Sequence, residues 1–177
     1  MLCAAVVESD EPRLSRIAVG ILVFEDSSIG VFEDQVNQLC AAFSRDLGLP
    51  DSIELHGTDI LHGRGLWHCI PVRRKMWLYS KVLELISMHA ERFIIKPIIY
   101  AGIRHRDPHH LSFLWGLERV DEMAISKNTT ARVVADRKPE AEAGLQSAFE
   151  RARIIGTGGW RSSSLSRIDQ NVSFTES

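Results

Sequence analysis

The apolar run Leu2-Cys3-Ala4-Ala5-Val6-Val7, the polar cluster Glu8-Ser9-Asp10-Glu11-Pro12 and the apolar run Ile17-Ala18-Val19-Gly20-Ile21-Leu22-Val23-Phe24 decide how the fold begins. Two strand-like runs joined by a polar, Pro-containing turn predict a β-hairpin. From Val31 the period changes, with Phe32, Val36, Leu39, Cys40, Phe43 and Leu47 recurring at threes and fours. That spacing predicts an amphipathic helix, closed by Gly48 and Pro50. Pro71 stands where another helix begins, since its missing N–H would be unpaired there anyway. Met76, Tyr79, Val82, Leu83 and Ile86 form the apolar stripe of that helix.

The longest apolar run, Phe93 to Ile103, predicts a central strand, with Pro97 marking a bulge or an edge. Leu111, Leu114, Leu117, Val120 and Met123 step along the next helix. Ala131 to Ala135 predicts a strand that delivers Asp136, and Pro139 opens a helix carrying Leu145, Ala148 and Phe149. Ile168 to Phe174 alternates apolar with polar residues, as a half-buried strand does. A hairpin followed by alternating helices and strands predicts an α/β layer fold with a mixed sheet flanked by helices. No helix follows the last strand-like run, so the chain is expected to lack a final helix. An uncovered edge or apolar face would then be open to self-association.

At 177 residues the length suits a single compact domain. Hydrophobic content of 45% and charged content of 25% are those of a soluble globular protein. The formal charge of −2 gives no general attraction to nucleic acid, so such a partner would need a local basic patch. Cys3, Cys40 and Cys69 are widely spaced and lack a C-x-x-C pair, which points to free thiols in a reducing compartment. No run approaches the length of a membrane span and no signal pattern opens the chain, so a cytoplasmic location without a membrane partner is expected.

Chemistry concentrates in two stretches. Ile53-Glu54-Leu55-His56-Gly57-Thr58-Asp59 puts two carboxylates and an imidazole on a short turn, and Arg132-Val133-Val134-Ala135-Asp136-Arg137 ends an apolar run on one carboxylate. If the fold brings Glu54 and Asp136 together, their charges repel. A hard cation such as Mg²⁺ or Mn²⁺ relieves that repulsion through oxygen ligands. Both acids also fit a plainer reading as strand ends or helix caps, since Asp136 stands three residues before Pro139-Glu140. His56, an imidazole, suits either a proton carrier or a hydrogen bond that ties down the Glu54 loop.

The order of these segments resembles the domain-of-unknown-function-3800 family, a ribonuclease-H-like group of bacterial and phage proteins. Ala5-Val6-Val7-Glu8-Ser9-Asp10 is similar to its opening strand, which reads Tyr, Ile or Val, Asp, Glu, Ser, Gly. Ile17 to Val23 is similar to its second strand, and Glu54-Leu55-His56-Gly57 matches a recurrent Glu-Leu-His-Gly stretch. Val133-Val134-Ala135-Asp136-Arg137 resembles a later strand ending on Asp and a basic residue. Phe174-Thr175-Glu176-Ser177 matches the start of a last motif whose helix, with Gln-x-Ala-Asp-Leu, would follow. The resemblance implies a ribonuclease-H-like sheet and a metal-dependent nuclease or phosphodiesterase. Glu54 and Asp136 would be its Mg²⁺ or Mn²⁺ ligands and His56 their support or proton carrier. Two carboxylates depart from the pattern. The first-strand Asp falls at Val7, and the last motif's Asp has no counterpart. Glu8 adjoins the first of these, but strand alternation points it to the opposite face. The resemblance therefore implies a degenerate or truncated member, either a nuclease with an incomplete acidic site or a non-catalytic binding module of the same fold.

Other signals have plain readings. His62 and His68 follow His56 at intervals that fit no zinc pattern, and His105, His109 and His110 flank a turn at Pro108. Arg73-Arg74-Lys75 put positive charge in a first helical turn, which costs a little unless an anion lies nearby. Arg137 and Lys138 adjoin the proposed site. Gly156-Thr157-Gly158-Gly159 lacks the Lys-Ser/Thr ending of a P-loop and reads as a loop. Trp67, Trp77, Trp115 and Trp160 suit burial or base stacking.

Overall fold

The computed structural model describes residues 1–11, 15–50, 53, 55–101, 107–136, 139–158 and 162–175. The chain divides into two compact units, Met1–Asp26 with Ala90–Ser177, and Ser27–His89.

The first unit is built on a five-stranded mixed sheet. The strands β1 (Leu2–Glu11), β2 (Arg16–Glu25), β3 (Ala90–Ile99), β4 (Ala131–Asp136) and β5 (Ile168–Thr175) lie in the order β3-β2-β1-β4-β5. β1 pairs antiparallel with β2, and β2 antiparallel with β3. β1 pairs parallel with β4, and β4 parallel with β5. This is the ribonuclease-H-like mixed sheet opening on an antiparallel hairpin. The helix α4 (Pro108–Ser126) makes the crossover from β3 to β4, and α5 (Pro139–Ile155) the crossover from β4 to β5.

Alternation along the strands sets the core. Leu2, Ala4 and Val6 of β1, Val19, Ile21 and Val23 of β2 and Ala131, Val133 and Ala135 of β4 are buried together. They pack under Phe113, Leu117 and Val120 of α4 and Phe149 of α5. α4 approaches β2 through Gly116, where an added Cβ would lie 2.7 Å from Ile21 Cδ1. A glycine inside a helix costs about 0.5–1 kcal/mol relative to alanine, which the close approach offsets.

β3 is an edge strand, not a central one. Pro97, paired with Ala18, is tolerated because only one side of the strand carries a neighbour. The irregularity in this pairing falls at Val23/Phe24. On the sheet face away from α4 and α5, Val7, Gly20 and Ile95 share one row of the register. Val7 and Ile95 are 60% and 56% exposed, and Phe93 lies across Gly20.

The second unit is helical: α1 (Ser27 onward of Asp26–Leu47), α2 (Gly57–His62), a 3-10 turn (Gly65–Cys69) and α3 (Val72–His89). The Gly- and His-rich stretch is thus short helix in large part. Its own core is Phe43, Ile60, Trp67, Ile70 and Leu78. Gly48, at φ 63°, ends α1 in the left-handed region that glycine adopts freely. No helix among the described residues is long and apolar enough to cross a membrane.

Candidate functional site

β1 and β4 run parallel and end at the same edge of the sheet. Val6 pairs with Ala135, so Glu8 and Asp136 fall at or just past the last matched rung. In open α/β sheets the carboxyl ends of parallel strands are where ligands bind. Glu8 and Asp136 line one small cavity there, walled by Val6, Phe113, Ala135, Leu145 and Phe174. Its volume of about 10 Å³ is close to the minimum for one water molecule.

The two carboxylates are held differently. The Glu8 side chain is 8% exposed, and its Oε2 lies 3.3 Å from Nδ1 of His109 at the start of α4. Asp107 caps that helix by accepting the His109 backbone N–H at 2.8 Å, and Pro108 occupies the first turn. The cap therefore also fixes the histidine that meets Glu8. Asp136 closes β4, and its Oδ1 is buried with no hydrogen-bond partner among the described residues. A buried acceptor left unmade costs about 1–3 kcal/mol.

Asp136 thus stands where the sequence expects it, at the rim of a buried strand. Glu54 lies outside the described residues, as do Arg137, Lys138, His105 and Trp160. His56 is the N-cap residue of α2, and its Nδ1 lies 3.1 Å from Thr58 Oγ1. Glu8, set aside because it alternates with Val7, does occupy the opposite face. That face is the inner one, and it carries the cavity. His109 belongs to this site as Glu8's partner and is not a solvated turn residue. Among the described residues, no group of three or more His, Cys, Asp or Glu converges as a metal cage. The donor set of two carboxylates is of the oxygen type that hard cations take.

The positive first turn of α3 has internal partners. Arg74 pairs with Asp46 at 2.9 Å, and buried Lys75 donates to the Trp67 carbonyl at 3.3 Å. Trp67 is buried, and Trp77 stacks on Phe43.

A second polar constellation carries a signal in the sequence. Glu118 and Asp121 lie four residues beyond Leu114 and Leu117, on the buried face of α4, and are 3% and 1% exposed. The Thr157 hydroxyl donates to Glu118. Asp121 accepts from Ser163 Oγ at 2.5 Å and from the Arg167 backbone N–H at 2.7 Å. Ser163 N–H in turn donates to Thr157 Oγ1 at 3.1 Å. Acids repeating on an apolar stripe mark buried, hydrogen-bonded carboxylates, because burial without partners is too costly.

No protein-family model matches the chain, and no curated protein matches it significantly.

Proposed function

We propose that the protein is a divalent-cation-dependent nuclease or phosphodiesterase of ribonuclease-H-like type, with Asp136 and Glu8 holding Mg²⁺ or Mn²⁺. The observation that carries this reading is the unpartnered, buried Oδ1 of Asp136 on the same cavity as Glu8. When bound, such an ion would offset both negative charges, polarise a phosphoryl oxygen and acidify a water molecule. His109 orients Glu8 through its Oε2 oxygen. Phe113, Leu145 and Phe174 restrict water around the acids, which strengthens every charge interaction there. Glu54 stands in this proposal as a further carboxylate on the resemblance alone, and nucleic acid is the proposed substrate.

The test is cleavage of end-labelled RNA and DNA, single- and double-stranded, by the purified chain in Mg²⁺, Mn²⁺ or EDTA. Metal-dependent cleavage is expected to fall about 10–100-fold in Asp136→Asn and in Glu8→Gln. No cleavage with any metal, or cleavage unchanged in both variants, overturns the reading.

A second reading, a non-catalytic binding module of the same fold, draws on Val7. Its apolar side chain is 60% exposed at the β1 position where the resemblance expects Asp. Saturable RNA or DNA binding without turnover, unaltered by Val7→Asp, supports it. Robust turnover by the unmodified chain excludes it.

A further inference from the structure

The Gly156-Thr157-Gly158 loop is no P-loop, yet it closes one end of a groove between α4 and α5. The groove has a volume of about 450 Å³, within the usual range for small-molecule sites. One wall is apolar, from Leu111 and Leu114 of α4 and Ala148 and Ile155 of α5. Arg151 of α5 and His110 of α4 add cationic or titratable groups, and Asp107 lies at the rim, 3.9 Å from His110 Nε2.

Three observations make this groove more than a gap between helices. Arg151 is exposed and, among the described residues, forms no ion pair or hydrogen bond, whereas its neighbour Arg153 donates to the Ile168 carbonyl at 2.6 Å. Thr157, at the groove's closed end, is anchored, because its hydroxyl donates to the buried Glu118 and accepts the Ser163 backbone N–H. Gly156 and Gly158 adopt φ values of 83° and 70°, so the main chain turns there with no side chain entering the groove. His110 packs closely over Gly144, where an added Cβ would lie 2.9 Å from its Nε2. A concave site with an apolar wall and an uncommitted guanidinium selects a ligand with an apolar body and an oxyanion, because the guanidinium fork matches carboxylate and phosphate oxygens.

We propose that this groove binds a small organic anion, an apolar body bearing a carboxylate or phosphate group, with Arg151 as its charge partner. The site is separate from the carboxylate cavity, whose two acids would repel such a ligand. The test is calorimetric titration of the full chain, in EDTA, with 1-naphthylmethylphosphonate and with uncharged 1-naphthylmethanol. The phosphonate cannot be hydrolysed and EDTA removes metal, so the outcome is independent of any nuclease activity. Saturable binding of the phosphonate is expected, at least about tenfold tighter than the alcohol and lost by about tenfold or more in Arg151→Ala, as removal of a charged hydrogen bond predicts. Arg45→Ala, on α1, is expected to bind as the parent does. Amide shifts on titration are expected at Gly144, Thr157 and Gly158. Equal binding of the two probes, unaltered binding by Arg151→Ala, shifts confined to other residues, or no saturable binding overturns the proposal.

Discussion

Asp121 Oδ1 accepts the backbone N–H of Arg167 at 2.7 Å, tying the middle of α4 to the approach to β5. The other oxygen of the same carboxylate takes the Ser163 hydroxyl at 2.5 Å. One buried side chain thereby satisfies two donors of the segment leading into β5, beside the fully buried Leu165. Asp121→Ala is expected to destabilise the protein by about 2–4 kcal/mol, since both donors lose a charged acceptor. Urea unfolding followed by circular dichroism measures this, and a change below about 0.5 kcal/mol, ordinary for surface substitutions, contradicts it.

The contact of Gly116 with Ile21 makes a second expectation. Gly116→Val overpacks the α4–β2 contact and is expected to cost about 1–3 kcal/mol. Gly116→Ala gains helix propensity but meets Ile21 Cδ1, and Ile21→Val removes that atom. The double variant Gly116→Ala/Ile21→Val is therefore expected to be more stable than the sum of the singles, with coupling of about 0.5 kcal/mol or more. Strict additivity in the four-member cycle refutes the close-approach account.

For the acidic site, removing charge is expected to stabilise the metal-free protein. Asp136→Asn relieves an uncompensated buried carboxylate oxygen beside Glu8, a gain on the order of 1 kcal/mol. The parent chain is expected to show a Mn²⁺-dependent rise in Tm that the variant loses, as ligand binding to the native state requires. Differential scanning fluorimetry with and without Mn²⁺ reads both effects. A lower Tm for the metal-free variant would show that Asp136 serves the fold instead.

The thiols are expected to separate by environment. Burial raises the Cys40 pKa, while Cys69 is exposed. Cys69 is expected to react first with a chromogenic disulfide, and Cys40 only on unfolding. The sign of the pH effect follows. A thiol pKa raised in the fold favours the neutral form, so its contribution is complete below the unfolded value and declines as pH climbs through the folded one. Cys40→Ser is expected to flatten the alkaline loss of stability, measured as urea midpoints across the thiol range.

Periodicity was enough for most of the architecture, because β1, β2, α4, β4, α5 and β5 each carry a clean apolar pattern bounded by polar residues, Gly or Pro. The edge position of β3 was ambiguous from its residues, since a run as apolar as Phe93 to Ile99 usually lies in the sheet interior. Ile94 and Ile98 are buried on the inner face, whereas Phe93, Ile95 and Ile99 face a side of the sheet that α4 and α5 leave uncovered, and only the topology reveals which side that is. Asp136 was legible because it ends a strand. Glu8 was not, because alternation says that two neighbours differ in face but not which face carries the site. The burial of Glu118 and Asp121 is legible from their place on the apolar stripe of α4, but their partners, like that of His109, lie far along the chain, a relation that spacing does not encode.

The helical insertion between β2 and β3 brings its own ends together: Ser28 Oγ donates to the His89 carbonyl at 3.5 Å, and His89 Nε2 meets Gln35 at 2.8 Å. For a nascent polypeptide this has a kinetic meaning. A flexible tether between two sheet partners imposes an entropic cost that grows with its length. Residues 27–89 carry a separate core, so they can condense while β3 is still within the ribosome. Once condensed they join β2 to β3 as a folded segment with neighbouring ends, so the entropic cost of the connection is that of a short loop.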